Sequence, residues 1–172
     1  MKLQASTAGL ACFAVSCIMV AGEAWAEPQP LTVKCVRKVE RFEPLYKNDS
    51  TGRLAYLSTA ACNYRETVGA GLFNDVRSAA TGFTDLTQGR GETRGITTAG
   101  KGGDDYRVEW LGRCYSTGRS GANDLIRCTG VWSFIEGSGT GRFANLRGGG
   151  QWHMQMTADG GLDTEASGLY ER

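Results

Sequence analysis

Apolar and polar side chains alternate along much of this chain in short runs bounded by glycine, the period-two signature of half-buried strands. Residues 130–156, GVWSFIEGSGTGRFANLRGGGQWHMQM, hold three such runs joined by two glycine clusters. They predict three antiparallel strands with two tight reversals. In a hairpin, paired residue numbers have a constant sum, so each loop centre fixes a register. Centring the preceding hairpin on Gly121 sets Cys114 opposite Cys128, Gly112 opposite Gly130, Trp110 opposite Trp132 and Val108 opposite Phe134. Centring the next on Gly139 sets Trp132 opposite Leu146, Phe134 opposite Ala144 and Glu136 against Arg142. Centring the third on Gly149 sets Leu146 opposite Trp152 and Ala144 opposite Met154. One apolar face then carries the row Trp110, Trp132, Leu146, Trp152 and the row Val108, Phe134, Ala144, Met154. The other face carries Glu109, Ser133, Gln151, His153 and Gln155, with Leu111, Val131, Ile135 and Phe143 among them. One buried and one wetted face belong to an antiparallel sheet closed over a single core.

The remaining chain adds strands to that sheet. Residues 31–42, LTVKCVRKVERF, alternate Leu31, Val33 and Cys35 against Thr32 and Lys34, then turn charged, which predicts a strand with a wet far end closed by Pro44. Residues 54–65 return as a strand with Cys62 opposite Cys35 and Tyr64 opposite Val33, a short alanine-rich helix being the alternative. Residues 73–78 and 92–98 read as short strands of unfixed register, with a loop at 100–105. A last strand over residues 162–171 turns Leu162, Thr164, Ala166, Gly168 and Tyr170 to one side. Pairing it with an early strand removes both sheet edges. The fold predicted is all-β: a single closed antiparallel barrel of about eight strands.

Residues 1–26 stand apart. Lys2 precedes an apolar run that ends at Ala24-Trp25-Ala26, the small-residue pattern of a cleaved export signal, and no later run is long enough for a membrane anchor. The remaining 146 of 172 residues make one domain, residues 27–172, in an exported, periplasmic or extracellular protein. Four cysteines lie in it. Cys114 and Cys128 face each other across the hairpin within disulfide reach, and Cys35 with Cys62 follows by elimination. Zinc is the competing use, but no close cysteine pair exists and His153, the single histidine, falls on the other face, so no metal or cofactor is expected. The 19 Lys and Arg against 18 Asp and Glu give near-neutrality with interspersed signs, and no case for nucleic acid or an anionic membrane surface. The 25 glycines, beside three prolines, fit turns, bulges and barrel corners better than disorder.

The order Gly95-Ile96-Thr97-Thr98-Ala99-Gly100, then Gly130-Val131-Trp132, then Gly137-Ser138-Gly139-Thr140-Gly141-Arg142-Phe143 and Gly148 resembles the barrel of plant allene oxide cyclases, dirigent proteins and their bacterial relatives of unknown role. The resemblance covers roughly the last 80 residues. It implies an eight-stranded antiparallel barrel, often trimeric, with an apolar cavity that in some members guides cyclisation of a reactive lipid or coupling of phenolic radicals. The family's catalytic polar residues match no positions here.

Chemistry is sparse. The run 137–141, GSGTG, lacks the lysine and following helix of a phosphate cradle and reads as a hairpin turn. His153 has no Ser or Asp at a triad spacing and reads as a surface residue. Asp104 with Asp105, and Glu109 with Glu136, read as solvated turn carboxylates. Arg107, Arg113, Arg127, Arg142 and Arg147 sit among acidic neighbours as a mixed surface. Trp110, Trp132, Phe134, Trp152 and Met154 are the candidate ligand-binding residues, because an eight-stranded barrel either fills with side chains or holds one small molecule. Three tryptophans occupy much of a small barrel, so a filled core is the leaner expectation. The function expected is non-catalytic: an exported barrel binding a small apolar molecule or a protein partner. The alternative is an isomerase or cyclase acting by confinement. A buried polar side chain facing a cavity favours catalysis, and an all-apolar lumen favours binding.

Overall fold

The computed structural model describes residues 27–46, 50–120 and 123–172; residues 1–26, where an export signal is expected, residues 47–49 and the expected hairpin centre at Gly121 lie outside the described residues. Nine strands form one antiparallel sheet: β1 (Gln29–Tyr46), β2 (Arg53–Asn63), β3 (Arg65–Val68), β4 (Arg77–Thr87), β5 (Arg90–Lys101), β6 (Asp104–Ser120), β7 (Asn123–Phe134), β8 (Arg147–Met156) and β9 (Leu162–Glu171). The sheet runs β2-β4-β5-β6-β7-β8-β9-β1, and β2 pairs with β1 to close the ring. β2 lies along the far half of β1, from Lys38↔Ala61 to Tyr46↔Ala55. β3 lies along its near half, at Thr32↔Val68 and Lys34↔Arg65. The two therefore share one place in a ring of eight. β9 pairs with β1 from Gln29↔Tyr170 to Arg37↔Leu162, so last and first strands close the barrel as expected.

The β6–β7 register is the one predicted: Val108↔Phe134, Trp110↔Trp132, Gly112↔Gly130 and Cys114↔Cys128. Both disulfides are present, Cys114–Cys128 with α carbons 4.1 Å apart and Cys35–Cys62 with 6.1 Å. They mark a non-reducing environment. Among the described residues no helix is long and apolar enough to cross a membrane.

Several expectations fail. The expected three-strand run over residues 130–156 contains only the end of β7 and the whole of β8. β7 pairs β8 through Cys128↔Met154, Gly130↔Trp152 and Trp132↔Gly150, so neither Leu146 nor Ala144 faces a strand. Gly149 is no turn centre but lies inside β8, opposite Leu169. Instead, residues 135–146 form a cap with a single 3-10 turn at Gly141–Phe143. Thr140 accepts from the Asp105 N–H at 2.9 Å and Ser138 from the Arg107 N–H at 3.0 Å, lashing the cap to β6. Phe143, expected outside, is thereby buried completely, and Leu146 is buried beside it. Arg142 pairs with Asp104 at 3.1 Å and Glu136 with Arg147 at 2.9 Å, rather than with each other. Second, Cys35 and Cys62 are not directly opposed, nor Tyr64 opposite Val33: Val33 faces Glu66, and β2 breaks from β3 at Tyr64. Pro44 does not end β1, which runs on to Tyr46. Third, Phe73 lies in the loop before β4 rather than in a strand.

The β8 error has a physical cause. Gly82 pairs with Gly95, Gly112 with Gly130 and Gly150 with Gly168 across neighbouring strands. A Cβ at Gly82 or Gly95 would overlap the Trp110 indole, and one at Gly112 would stand 2.7 Å from Trp152 Cζ2. Trp132 reaches over Gly150 and Gly168, donating Nε1–H to the carbonyls of Gln151 at 3.1 Å and Ser167 at 3.2 Å. Trp110 thus lies on two facing glycines and Trp152 on Gly112, while Trp132 is held to the wall by the carbonyls beside Gly150 and Gly168. These glycines are strand residues chosen for space.

Candidate functional site

One end of the barrel is sealed. Phe73, held by the loop between β3 and β4, meets Tyr106, Phe134, Phe143 and Tyr170 at ring-centroid distances of 5.2–6.1 Å. The loop is fixed by Glu66, whose carboxylate accepts from the Gly71 N–H at 2.6 Å and the Phe73 N–H at 2.7 Å. With the 135–146 cap this aromatic cluster fills the floor of the barrel.

Above the floor the interior is not filled. It holds a cavity of about 160 Å³, against roughly 10–15 Å³ for the site of one water molecule. The filled core expected from three tryptophans is thus corrected: Trp110 and Trp152 lie against strand glycines, Trp132 bonds the wall carbonyls of Gln151 and Ser167, and the centre stays open. Trp110, Trp132, Phe134, Trp152 and Met154 all line the cavity. Val39 and Phe42 line it too, and their 40% and 53% exposure sets its mouth at the end of the barrel opposite the aromatic floor.

The wall also carries polar groups. Thr84 and Thr93 hydroxyls bond each other at 2.8 Å, and Thr97 accepts the Trp110 Nε1–H at 3.2 Å. Arg37 is the exception to this neutral lining. It follows Leu31, Val33 and Cys35 in the inward phase of β1 and is only 8% exposed. Its guanidinium donates to Ser78 Oγ at 3.4 Å and Tyr64 Oη at 3.3 Å and lies 5.8 Å from the Tyr64 ring centroid. None of the ion pairs among the described residues includes it. The Cys35–Cys62 disulfide braces the site, since Cys62 Sγ lies 3.1 Å from Ser78 Oγ. Nearby Tyr106 has its phenol pushed well above the ordinary value, chiefly by burial and also by Tyr64, with the Arg37 charge pulling the other way. Burial likewise raises Tyr56, against a hydrogen bond with Thr84 that lowers it. These phenols stay protonated near neutral pH, as hydrogen-bonding groups and not as bases.

The sequence overlooked Arg37, Ser78, Tyr64 and Tyr106. For Arg37 the signal was its phase: it continues the row Leu31, Val33, Cys35, yet its charge marked the strand end as wet. The remaining candidates lie outside the cavity. His153 is exposed on the outer wall, its Nε2 4.0 Å from Glu165, whose carboxyl the hydrogen bond from Lys34 holds below the usual range. Asp104 is held low by hydrogen bonds from the Arg142 backbone and side chain. The outer-wall arginines Arg107, Arg113, Arg127, Arg142 and Arg147 are exposed too, and Arg127 donates to Gln155 at 2.8 Å. Among the described residues no three His, Cys, Asp or Glu side chains gather as metal ligands. No family model matches the chain, and no curated protein matches it.

Proposed function

We propose that this protein is an exported carrier or receptor that binds one small apolar molecule inside its barrel. The cavity carries the reading: an open-mouthed apolar lumen held apart by indoles pinned to the wall. Emptying a core this way forfeits packing, a cost a bound molecule would offset. The leader pattern of residues 1–26 and the two disulfides support export. An eight-place ring is what the resemblance to allene oxide cyclase and dirigent-like barrels implies, and a trimeric assembly is proposed on that resemblance alone.

A neutral fluorescent naphthylamine tests the reading. It should bind one per barrel with a blue-shifted, enhanced emission, and Ala80→Phe, which fills the cavity wall, should abolish the signal while the protein stays folded by circular dichroism. Binding unchanged in the filled barrel would place the probe elsewhere and contradict the proposal.

The polar cluster Arg37, Ser78 and Tyr64 favours a second reading, an isomerase or cyclase that shapes a reactive hydrophobic substrate. Confinement and one fixed cation can stabilise developing negative charge. The cluster contains no carboxylate, histidine or free thiol to serve as a base, which leaves binding as the better-supported function.

A further inference from the structure

We infer that the molecule taken up ends in a carboxylate, which seats on Arg37 at the floor of the cavity with its apolar body running to the mouth at Val39 and Phe42. The inference rests on the cavity reading above. A guanidinium removed from water costs several kcal/mol unless charge and hydrogen bonds compensate it. Here the compensation is incomplete: two neutral oxygens at 3.3 and 3.4 Å and one aromatic face. The five N–H groups of an arginine exceed those two acceptors, and its fork matches the two oxygens of a carboxylate. A partly exposed arginine outside the lumen is answered differently. Arg53, on the outer wall, has its own carboxylate, Asp85, at 2.6 Å. Arg37 alone among the cavity-lining residues carries a full charge.

The surroundings fit a head group and not a stray surface ion. Tyr64, half-buried on the cavity wall, can hand its hydroxyl hydrogen to a second anion oxygen while Arg37 holds the first; Ser78, fully buried behind the wall, accepts from Arg37 and donates to the Cys62 carbonyl at 3.4 Å. On the mouth side the lining carries no charge, with Ile126, Met154, Met156, Leu162 and Phe42 along the path beside the hydroxyls of Tyr56, Ser58 and Thr84. A polar end deep in the barrel and an uncharged path outward select an amphiphile with one acidic end. A neutral hydrocarbon would leave the Arg37 charge unanswered, and a dianion would outnumber it.

Calorimetric titration of the disulfide-bonded protein with decanoate and with decanol, at about pH 8, tests this. Decanoate should bind about tenfold or more tighter than decanol, the range of a charge-assisted hydrogen bond in a desolvated site. Arg37→Met should remove the preference for decanoate over decanol and melt no lower than the parent, because it removes a buried charge that lacks a counter-ion. Arg37→Lys should keep part of the preference. Equal affinities for the two probes in the parent protein would overturn the carboxylate and leave the apolar cavity standing. Failure of both to bind would overturn the cavity reading itself. Arg37→Met melting well below the parent while keeping the decanoate preference would assign Arg37 a structural role.

Discussion

The indole of Trp152 lies against Gly112, where a Cβ would stand 2.7 Å from Cζ2, and donates its Nε1–H to the carbonyls of Leu111 at 3.3 Å and Val131 at 3.1 Å. Trp110 likewise lies against Gly82 and Gly95, but donates its Nε1–H to the Thr97 hydroxyl at 3.2 Å. The lumen is therefore kept open by large side chains held to the wall, and the glycines set how closely Trp110 and Trp152 can lie.

Gly95→Ala tests that relationship. The added methyl meets Trp110 and the backbone of the neighbouring strand, with Gly82 Cα at 2.8 Å. A destabilisation of about 1–3 kcal/mol is expected, the usual cost of overpacking. Urea unfolding measures it; a variant as stable as the parent would show that the pads do not constrain the tryptophans.

Trp132→Ala should cost about 3–5 kcal/mol. Trp132 is 7% exposed, stands edge-on to Phe134 at 5.2 Å and donates to two strand carbonyls. A loss below about 1 kcal/mol would mean that the cavity wall does not depend on its indole.

How much of this was legible is best seen on two strands. In β6 and β7 the hairpin sum placed Trp110 against Trp132 and Cys114 against Cys128, and a bulge between Ser116 and Gly118 makes up the one-residue difference from the pairing nearer the tip, where Arg119 faces Asp124. Over residues 130–156 the same arithmetic failed, because it took every glycine cluster as a reversal. Gly149 and Gly150 are in-strand residues opposite Leu169 and Gly168, while GSGTGRF is the lashed cap that buries Phe143. Spacing alone does not distinguish a glycine that turns the chain from one that makes room for a ring across the sheet. The five apolar site residues were readable from alternation. Arg37 was hidden because a charge at an inward position is the exception that burial makes meaningful.

Replacing Cys114 and Cys128 by Ala should lower stability by about 2–4 kcal/mol, since the bond closes a loop with a sequence separation of 14. Chemical denaturation of the double variant under oxidising conditions is the check. An unchanged midpoint, together with two free thiols in the parent, would contradict the bond.

Alkaline stability tests the burial of Tyr106. Its folded-state pKa is raised above the ordinary value of 10.0, so its contribution is fully present below about pH 10 and is lost as pH rises from there toward the folded value. Between about pH 7 and 9 it should add no pH dependence. Tyr106→Phe should therefore lose less stability than the parent between about pH 8 and 11, measured by urea midpoints. Identical alkaline losses would mean that Tyr106 ionises as freely in the barrel as in the unfolded chain.

The most direct test of the central claim is native mass spectrometry of the mature protein purified from its own host, followed by solvent extraction. The account predicts a protein mass raised by one discrete small molecule per barrel, released by the solvent and recovered as an apolar acid. A bare polypeptide mass, with nothing in the extract and no uptake of decanoate afterwards, would contradict it.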